Sequence, residues 1–86
     1  MEILFKSSFT KQYKKLPPKI QGKFNERLLL WLSNPVDSLL RVRALTGKYT
    51  GYWSMNVSGD IRALYKHEGD TIVIFVLIGT HSALYG

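Results

Sequence analysis

The chain has 86 residues, 45% of them hydrophobic, no cysteine, and a formal net charge of +6 at neutral pH. This length supports a single domain, residues 1–86, and the absence of cysteine excludes disulfide bonds and thiolate metal sites. The excess of positive charge predicts an anionic partner, because lysine and arginine side chains neutralise phosphate groups and release their counterions.

The chain opens with a predicted strand and a short helix. Residues 2–6 are rich in Ile, Leu and Phe, which favours a strand. The helix that follows can be capped by either of the two serines at positions 7 and 8. Its apolar residues recur at helical spacing: Phe9, Tyr13 and Leu16.

A longer second helix is predicted from Pro18 to the Asn34-Pro35 pair. Pro17 and Pro18 end the first helix, and Pro18 suits the first turn of the second one. The apolar residues of this second helix share one face: Ile20, Phe24, Leu28 and Trp31. We therefore expect a helical hairpin after the opening strand.

From Tyr52 onward the hydrophobic pattern alternates with a period of two. Residues 52–57 predict a half-buried strand, and further strands are predicted at 61–66 and 71–78, with turns at 58–60 and 67–70. The last strand is apolar on both faces, which predicts a central position. Helices followed by two successive hairpins indicate an α+β fold with an antiparallel β-meander.

Positive charge is concentrated in two clusters. Six lysines between residues 6 and 23 follow one another with no acidic residue between them, which fits a solvated helix face as well as a binding surface. The second cluster, Arg41, Arg43 and Lys48, precedes the first strand of the meander. It is better placed for binding, because the guanidinium group presents a fork that matches phosphate.

Three residues are candidates for chemistry on an anionic substrate. His67 falls in a predicted turn, which favours a solvated residue, whereas His81 follows the predicted central strand, where a loop can hold a catalytic group at the end of a rigid sheet. Arg62 interrupts an apolar strand. A three-residue loop at 58–60 places Arg62 opposite Asn56, and a two-residue turn places it opposite Met55; the sequence leaves both registers open.

Internal cleavage of RNA is a reaction that such residues can carry out without a metal or a cofactor. The 2′-hydroxyl attacks the adjacent phosphate when a base removes its proton, positive charge stabilises the phosphorane, and an acid protonates the leaving 5′-oxygen. Tyrosine rings can stack the bases that must be unstacked for this attack, and three are available: Tyr49, Tyr52 and Tyr85.

Three segments stand in an order and spacing that resembles the RelE/ParE toxin superfamily. They are Leu45-Thr46-Gly47, Gly-Asp-Ile-Arg-Ala-Leu-Tyr at 59–65, and Gly-Thr-His-Ser-Ala-Leu-Tyr at 79–85. The last segment is most similar to the YafQ-like branch of mRNA interferases, and the resemblance extends over essentially the whole chain. It implies a RelE-like fold. The protein is expected in the cytoplasm of a bacterium or archaeon. No stretch approaches the ~20 apolar residues that a membrane span needs, so no membrane partner is expected.

The function that the resemblance implies is that of a toxin in a type II toxin–antitoxin system. Such a toxin is a ribosome-dependent endoribonuclease that cleaves mRNA, needs no metal or cofactor, and is neutralised by a cognate antitoxin protein. By the same resemblance, His81 is the catalytic histidine, Asp60 an active-site aspartate, Tyr85 the catalytic aromatic residue and Arg62 the ligand of the scissile phosphate. Trp53 is assigned to the core.

Two positions depart from the YafQ-like pattern. This branch carries two further histidines where the chain has Arg43 and Asn56. We therefore expect charge to replace titrating groups, with RNA bound by a set drawn from both the charge pattern and the resemblance: Arg41, Arg43, Lys48, Tyr52 and Asn56. Two other functions remain open. One is a ParE-like, non-catalytic inhibitor of DNA gyrase, and the other is a catalytically weak module that binds RNA or the antitoxin.

Overall fold

The computed structural model describes residues 1–85. Its five-stranded sheet has the order β1-β5-β4-β3-β2, so β5 is an interior strand and β4 occupies the middle. The elements in chain order are β1 (Glu2–Phe5), α1 (Ser7–Lys14), α2 (Pro18–Ser33), β2 (Arg43–Ala44), β3 (Trp53–Ser58), β4 (Ile61–Glu68), β5 (Ile72–Thr80) and α3 (His81–Tyr85). The predicted α+β class and the antiparallel meander of β3, β4 and β5 are confirmed, and β1 joins the sheet parallel to β5.

The helices α1 and α2 cover one face of the sheet. Phe24 and Trp31 of α2 are buried, and Ile20 and Leu28 pack against the same core, which confirms the predicted apolar face. Pro18 occupies the first turn of α2, as its fixed backbone angle favours. Because these side chains recur at helical spacing, one side of α2 buries a continuous apolar stripe against the sheet.

The start of α1 differs from its prediction. Lys6 is the residue before the helix and no side chain caps it. Ser8 instead donates a hydrogen bond to the Val76 carbonyl over 2.6 Å, and the Gln12 side-chain oxygen accepts from the Ile78 amide over 2.9 Å. β1 ends at Phe5, opposite Phe75, so it does not pair with β5 beyond that point and the backbone groups there need other partners. The side chains of α1 satisfy two of them.

The opposite face of the sheet is also covered, so β3 is not half-buried as predicted. Its residues from Ser54 to Val57 are all buried. The cover is a second apolar cluster in which Leu64, Val76 and Leu84 are buried, and it includes residues of α3 and of the segment around the short 3₁₀ helix Gly47–Tyr49. An earlier 3₁₀ helix, Ser38–Leu40, contributes Leu40 to the first core cluster instead. The sheet therefore has a helix-packed face and a second face that is only partly closed.

The hairpin between β3 and β4 settles the position of Arg62. Gly59 and Asp60 form its turn, Gly59 has a positive φ of 55°, and an irregularity at Val57 precedes the turn. Beyond that irregularity Asn56 pairs with Arg62, which is the first of the two predicted registers. The Val57 carbonyl accepts a hydrogen bond from Arg27 Nε over 3.3 Å, which fixes the bulge beneath α2.

Two aromatic positions on the helix-packed face correct the sequence assignments. Trp53 is 36% exposed and does not belong to the core. His67 lies within β4 and not in a turn, because β4 continues to Glu68, and its ring is 5.9 Å from the Tyr65 ring and 6.4 Å from the Trp53 ring. Burial raises the pKa of the Tyr65 hydroxyl, which accepts a hydrogen bond from Trp31 Nε1. Within residues 1–85, no helix is long and apolar enough to span a membrane.

Candidate active site

His81 follows the end of β5 and lies on the partly closed face of the sheet. The residue begins α3 and does not stand in a loop as predicted. Thr80 Oγ1 accepts a hydrogen bond from the Ala83 amide over 3.1 Å, which caps the helix, and the His81 amide donates to the Asp60 carbonyl over 3.0 Å. The helix start is therefore tied to the β3–β4 turn, and His81 lies beside the first residues of β4.

One cleft brings four of the predicted residues together. Its volume is about 300 Å³. It lies on the partly closed face, between β2 and the start of α3, and its lining residues are Arg43, Ala44, Leu45, Thr46, Ser54, Arg62, His81 and Tyr85. Positive charge, an imidazole and a phenol thus meet at one concave surface.

Strand pairing explains why the two arginines share this cleft. Arg43 of β2 pairs with Ser54 of β3, and Asn56 of β3 pairs with Arg62 of β4. Residues directly opposite one another in an antiparallel pair project to the same face, and residues two apart on one strand do so as well. Arg43, Ser54 and Arg62 therefore project to the same face of the sheet, with Arg62 diagonal to Ser54.

Two polar atoms of the cleft lack a partner among the described residues. Ser54 Oγ and Arg62 Nη1 are buried side-chain atoms without a hydrogen bond, and Ser54 is fully buried. A buried donor without a partner is costly, so such groups in a protein are usually satisfied by a ligand or by water. Both atoms can donate a hydrogen bond, so a phosphate group in this cleft would accept from them.

His81 and Tyr85 form the titratable pair of the cleft. They stand four residues apart on α3, so their side chains lie on the same side of the helix, and their ring centroids are 4.7 Å apart. Tyr49 holds this helix in place. Its hydroxyl donates to the Leu84 carbonyl over 2.9 Å, and its ring packs edge-on against that of Tyr85, with 5.6 Å between the ring centroids. The pair is held by two independent anchors, Thr80 and Tyr49.

The other predicted site residues lie outside this cleft. Asp60 is exposed and contributes its backbone carbonyl to the His81 amide. Asn56 is 8% exposed and donates from Nδ2 to the Gly59 carbonyl, which makes it a brace of the hairpin. Arg41, exposed and with a positive φ of 46°, ends the first 3₁₀ helix. Lys48 and Tyr52 line a neighbouring cavity.

Ser54 is the cleft residue that sequence reasoning missed. The alternation of β3 places it on the same side as Tyr52 and Asn56, and a lone serine on a polar face carries no signal by itself. The strand register is what places Ser54 opposite Arg43 and diagonal to Arg62. In residues 1–85, no group of three or more His, Asp or Glu side chains is arranged to hold a metal ion.

Comparison with known proteins identifies structures that share this fold. By sequence, the chain matches no protein-family model and no curated protein. By structure, it superposes on YafQ from E. coli strain BL21(DE3) with a TM-score of 0.84 and 25% identity, over 99% of this chain and 98% of that one. The chain belongs to the RelE/YafQ-like toxin superfamily.

Two more members of the superfamily bear on this chain. An E. coli DinJ-YafQ toxin-antitoxin complex matches it with a TM-score of 0.81 and 25% identity, over 99% of this chain and 97% of that one. A YoeB/ParE toxin from Agrobacterium tumefaciens matches with a TM-score of 0.78 and 20% identity, over 94% and 99% of the two chains, and supports the fold alone. The RelE-like fold predicted from the sequence is confirmed.

Proposed function

We propose that this RelE/YafQ-like chain is the toxin of a type II toxin–antitoxin system and that it cleaves mRNA on the ribosome. The observation that carries the proposal is a single cleft lined by Arg62, Ser54, His81 and Tyr85. Arg62 Nη1 and Ser54 Oγ are both buried and have no partner among the described residues. An anion would accept hydrogen bonds from Arg62 and Ser54, and His81 and Tyr85 can transfer protons. Cleavage of a phosphodiester by its neighbouring hydroxyl needs both the hydrogen-bond donors and the proton transfer.

The proposed reaction is an internal transesterification of RNA. The 2′-oxygen loses its proton and forms a bond to the adjacent phosphorus, the bond from phosphorus to the 5′-oxygen breaks, and that oxygen receives a proton. The products are a 2′,3′-cyclic phosphate and a free 5′-hydroxyl. All atoms and charges balance without an external redox partner or nucleophile.

The residues of the cleft divide this work by their chemistry. Arg62 and Ser54 donate hydrogen bonds to the non-bridging phosphate oxygens, where negative charge increases in the phosphorane, and Arg43 adds charge from the rim. His81 and Tyr85 exchange the protons at the 2′- and 5′-oxygens, since an imidazole can accept and donate a proton and the adjacent phenol is a hydrogen-bond donor within the same cleft. Asp60 positions His81 through its backbone carbonyl.

The proposed partners are the ribosome, mRNA and a cognate antitoxin. The net charge of +6 favours association with the anionic ribosome surface. A DinJ-YafQ complex among the structural neighbours supports an antitoxin partner. We expect the antitoxin to be acidic and partly disordered when free, because such a segment can cover a small basic domain and order upon binding it.

Cell-free translation followed by primer extension on the translated message tests the proposal. The wild-type chain should leave discrete cuts. His81→Ala should lose ~10²–10⁴-fold in cleavage rate, the usual range for one general acid or base, and Arg62→Ala should lose a comparable factor. His67→Ala is the matched control, because His67 lies on the helix-packed face of β4, away from the cleft.

Melting curves of every variant separate catalysis from folding. A folded His81→Ala variant that cuts as fast as His67→Ala contradicts the assignment of His81. An intact message with wild-type protein contradicts cleavage itself, and growth arrest with gyrase inhibition would then identify the non-catalytic ParE-like alternative.

A further inference from the structure

A second cavity adjoins the cleft and carries a different combination of groups. Its volume is about 250 Å³, and we call it the lysine–tyrosine pocket after the lining residues that matter here: Lys6, Lys48, Tyr49 and Tyr52. Ser8, Val76 and Leu77 complete its wall. No acidic residue is among those seven, so the pocket is positive and aromatic at the same place.

We infer that the lysine–tyrosine pocket binds a nucleotide of single-stranded RNA that lies just outside the scissile dinucleotide held in the cleft. The inference rests on the proposed RNA-cleaving function and adds a second subsite to it. A single-stranded nucleotide offers a base with a π face and a phosphate, and proteins bind it by pairing an aromatic ring with a basic groove. Those two features define this pocket.

The tyrosine rings make a continuous path from the cleft to the pocket. Tyr85 of the cleft contacts Tyr49 at 5.6 Å between centroids, and Tyr49 contacts Tyr52 at 6.1 Å, both edge-on. The pocket therefore begins one ring away from the His81–Tyr85 pair. A strand of RNA that leaves the cleft on this side reaches the pocket with the next nucleotide.

Two lysines already lie beside these rings. Lys48 Nζ is 5.2 Å from the Tyr49 centroid, and Lys66 Nζ, from β4, is 5.9 Å from the Tyr52 centroid. Such cation–π contacts are weak at exposed sites, so a phosphate can draw either ammonium group into a stronger, charge-assisted hydrogen bond. The ring face that the lysine leaves is then free for the base.

The two tyrosines do not serve equally well as tests. Tyr49 donates its hydroxyl to the Leu84 carbonyl and so holds α3, and its replacement would disturb His81 as well as the pocket. The Tyr52 hydroxyl has no such bond to α3. Tyr52→Leu keeps apolar volume in the second core cluster and removes the π face, and Tyr52→Phe keeps the ring.

The experiment compares RNA lengths by fluorescence anisotropy at low salt. The probes are labelled 2′-O-methyl oligonucleotides, which lack the attacking hydroxyl and are not cleaved: a dinucleotide that fills the cleft and a hexanucleotide that extends beyond it. Tyr52→Leu should weaken hexanucleotide binding roughly 5- to 150-fold, the range for one stacked base, and Tyr52→Phe should bind like wild type. Lys48→Ala should reduce the log–log salt slope for the hexanucleotide by about 0.7, the value for one phosphate contact on a single strand.

Length dependence separates a subsite from a general loss of binding. Neither Tyr52→Leu nor Lys48→Ala should alter dinucleotide affinity, whereas Arg62→Ala should weaken both probes. Lys14→Ala, an exposed lysine near the end of α1 that lines neither cavity, should alter neither.

Several outcomes would overturn the inference. One is equal weakening of both probes by Tyr52→Leu in a variant that melts like wild type, and another is a hexanucleotide effect no larger than that of Lys14→Ala. Failure of the wild-type chain to bind any oligonucleotide is a third. Length-dependent binding in a chain that never cuts a translated message would refute the proposed function and leave the subsite standing.

Discussion

Replacement of Ser54 by alanine should make the free protein more stable and the toxin less active. Ser54 is fully buried, and its Oγ has no hydrogen-bond partner among the described residues. A buried polar group without a partner costs ~1–3 kcal/mol, and alanine removes that cost while it leaves a void of one oxygen atom. We take the net gain as about 1 kcal/mol, which raises the melting temperature of a domain of this size by roughly 4–8 °C.

Activity should move in the opposite direction. A hydrogen bond to a charged group contributes ~1.5–3 kcal/mol, so loss of the Ser54 donor should lower the cleavage rate roughly 10- to 150-fold. Thermal melting monitored by circular dichroism measures the first effect, and primer extension on translated mRNA measures the second. A higher melting temperature together with a lower cleavage rate would show that the Ser54 hydroxyl binds substrate and does not stabilise the fold.

Ser8→Ala is the matched control for the stability measurement. The Ser8 hydroxyl has a partner, the Val76 carbonyl at 2.6 Å, so its removal should destabilise the fold by about 1 kcal/mol. If Ser54→Ala lowers the melting temperature as Ser8→Ala does, the Ser54 hydroxyl is satisfied in the free protein. The argument that an anion completes its hydrogen bonding would then be wrong.

Three further predictions address charge, the phenol and the partner. Arg43→Ala should flatten the salt dependence of ribosome binding more than Lys23→Ala, because Arg43 lines the cleft and Lys23 lies on α2 at 3.6 Å from Glu26; equal slopes would remove Arg43 from the interface. Tyr85→Phe should slow cleavage strongly if the hydroxyl moves a proton, and a rate near that of wild type would leave the ring with a packing role beside His81. Co-expression with the neighbouring gene product should yield a complex whose melting temperature exceeds that of the toxin alone, and a chain that is harmless and unbound when overexpressed would contradict the toxin function.

Hydrophobic spacing was sufficient to predict most of the fold. The apolar face of α2, the proline at its start and the alternation of the meander strands are local patterns, and each one corresponds to an element of the structure. Errors arose where tertiary contacts overrode local preference. Ser8 bonds β5 and does not cap α1, and His67 continues β4 instead of turning, next to an aromatic cluster that includes Trp31 and Tyr65.

The candidate site was predictable only in part, because it depends on strand register. Arg62 and His81 were candidates from their places in the strand pattern as well as from motif resemblance, Tyr85 owed its catalytic role to the resemblance, and all three share a cleft with Arg43. Their catalytic roles remain proposals. Asp60 and Asn56 act on the hairpin through a backbone carbonyl and an amide, which no residue pattern reveals.

The bulge at Val57 has a consequence for how the length of this chain can vary. Val57 is the extra residue between the Asn56–Arg62 and Ser58–Ile61 pairs, so its deletion would leave both pairings in place and cost the Arg27 hydrogen bond. A one-residue deletion within β4 would exchange the two faces of the sheet for every residue between the deletion and one end of the strand. Homologous chains that differ in length by one residue in this hairpin should therefore have the insertion or deletion at the bulge or in the turn. A change there leaves Arg43 and Arg62 on the same face of the sheet.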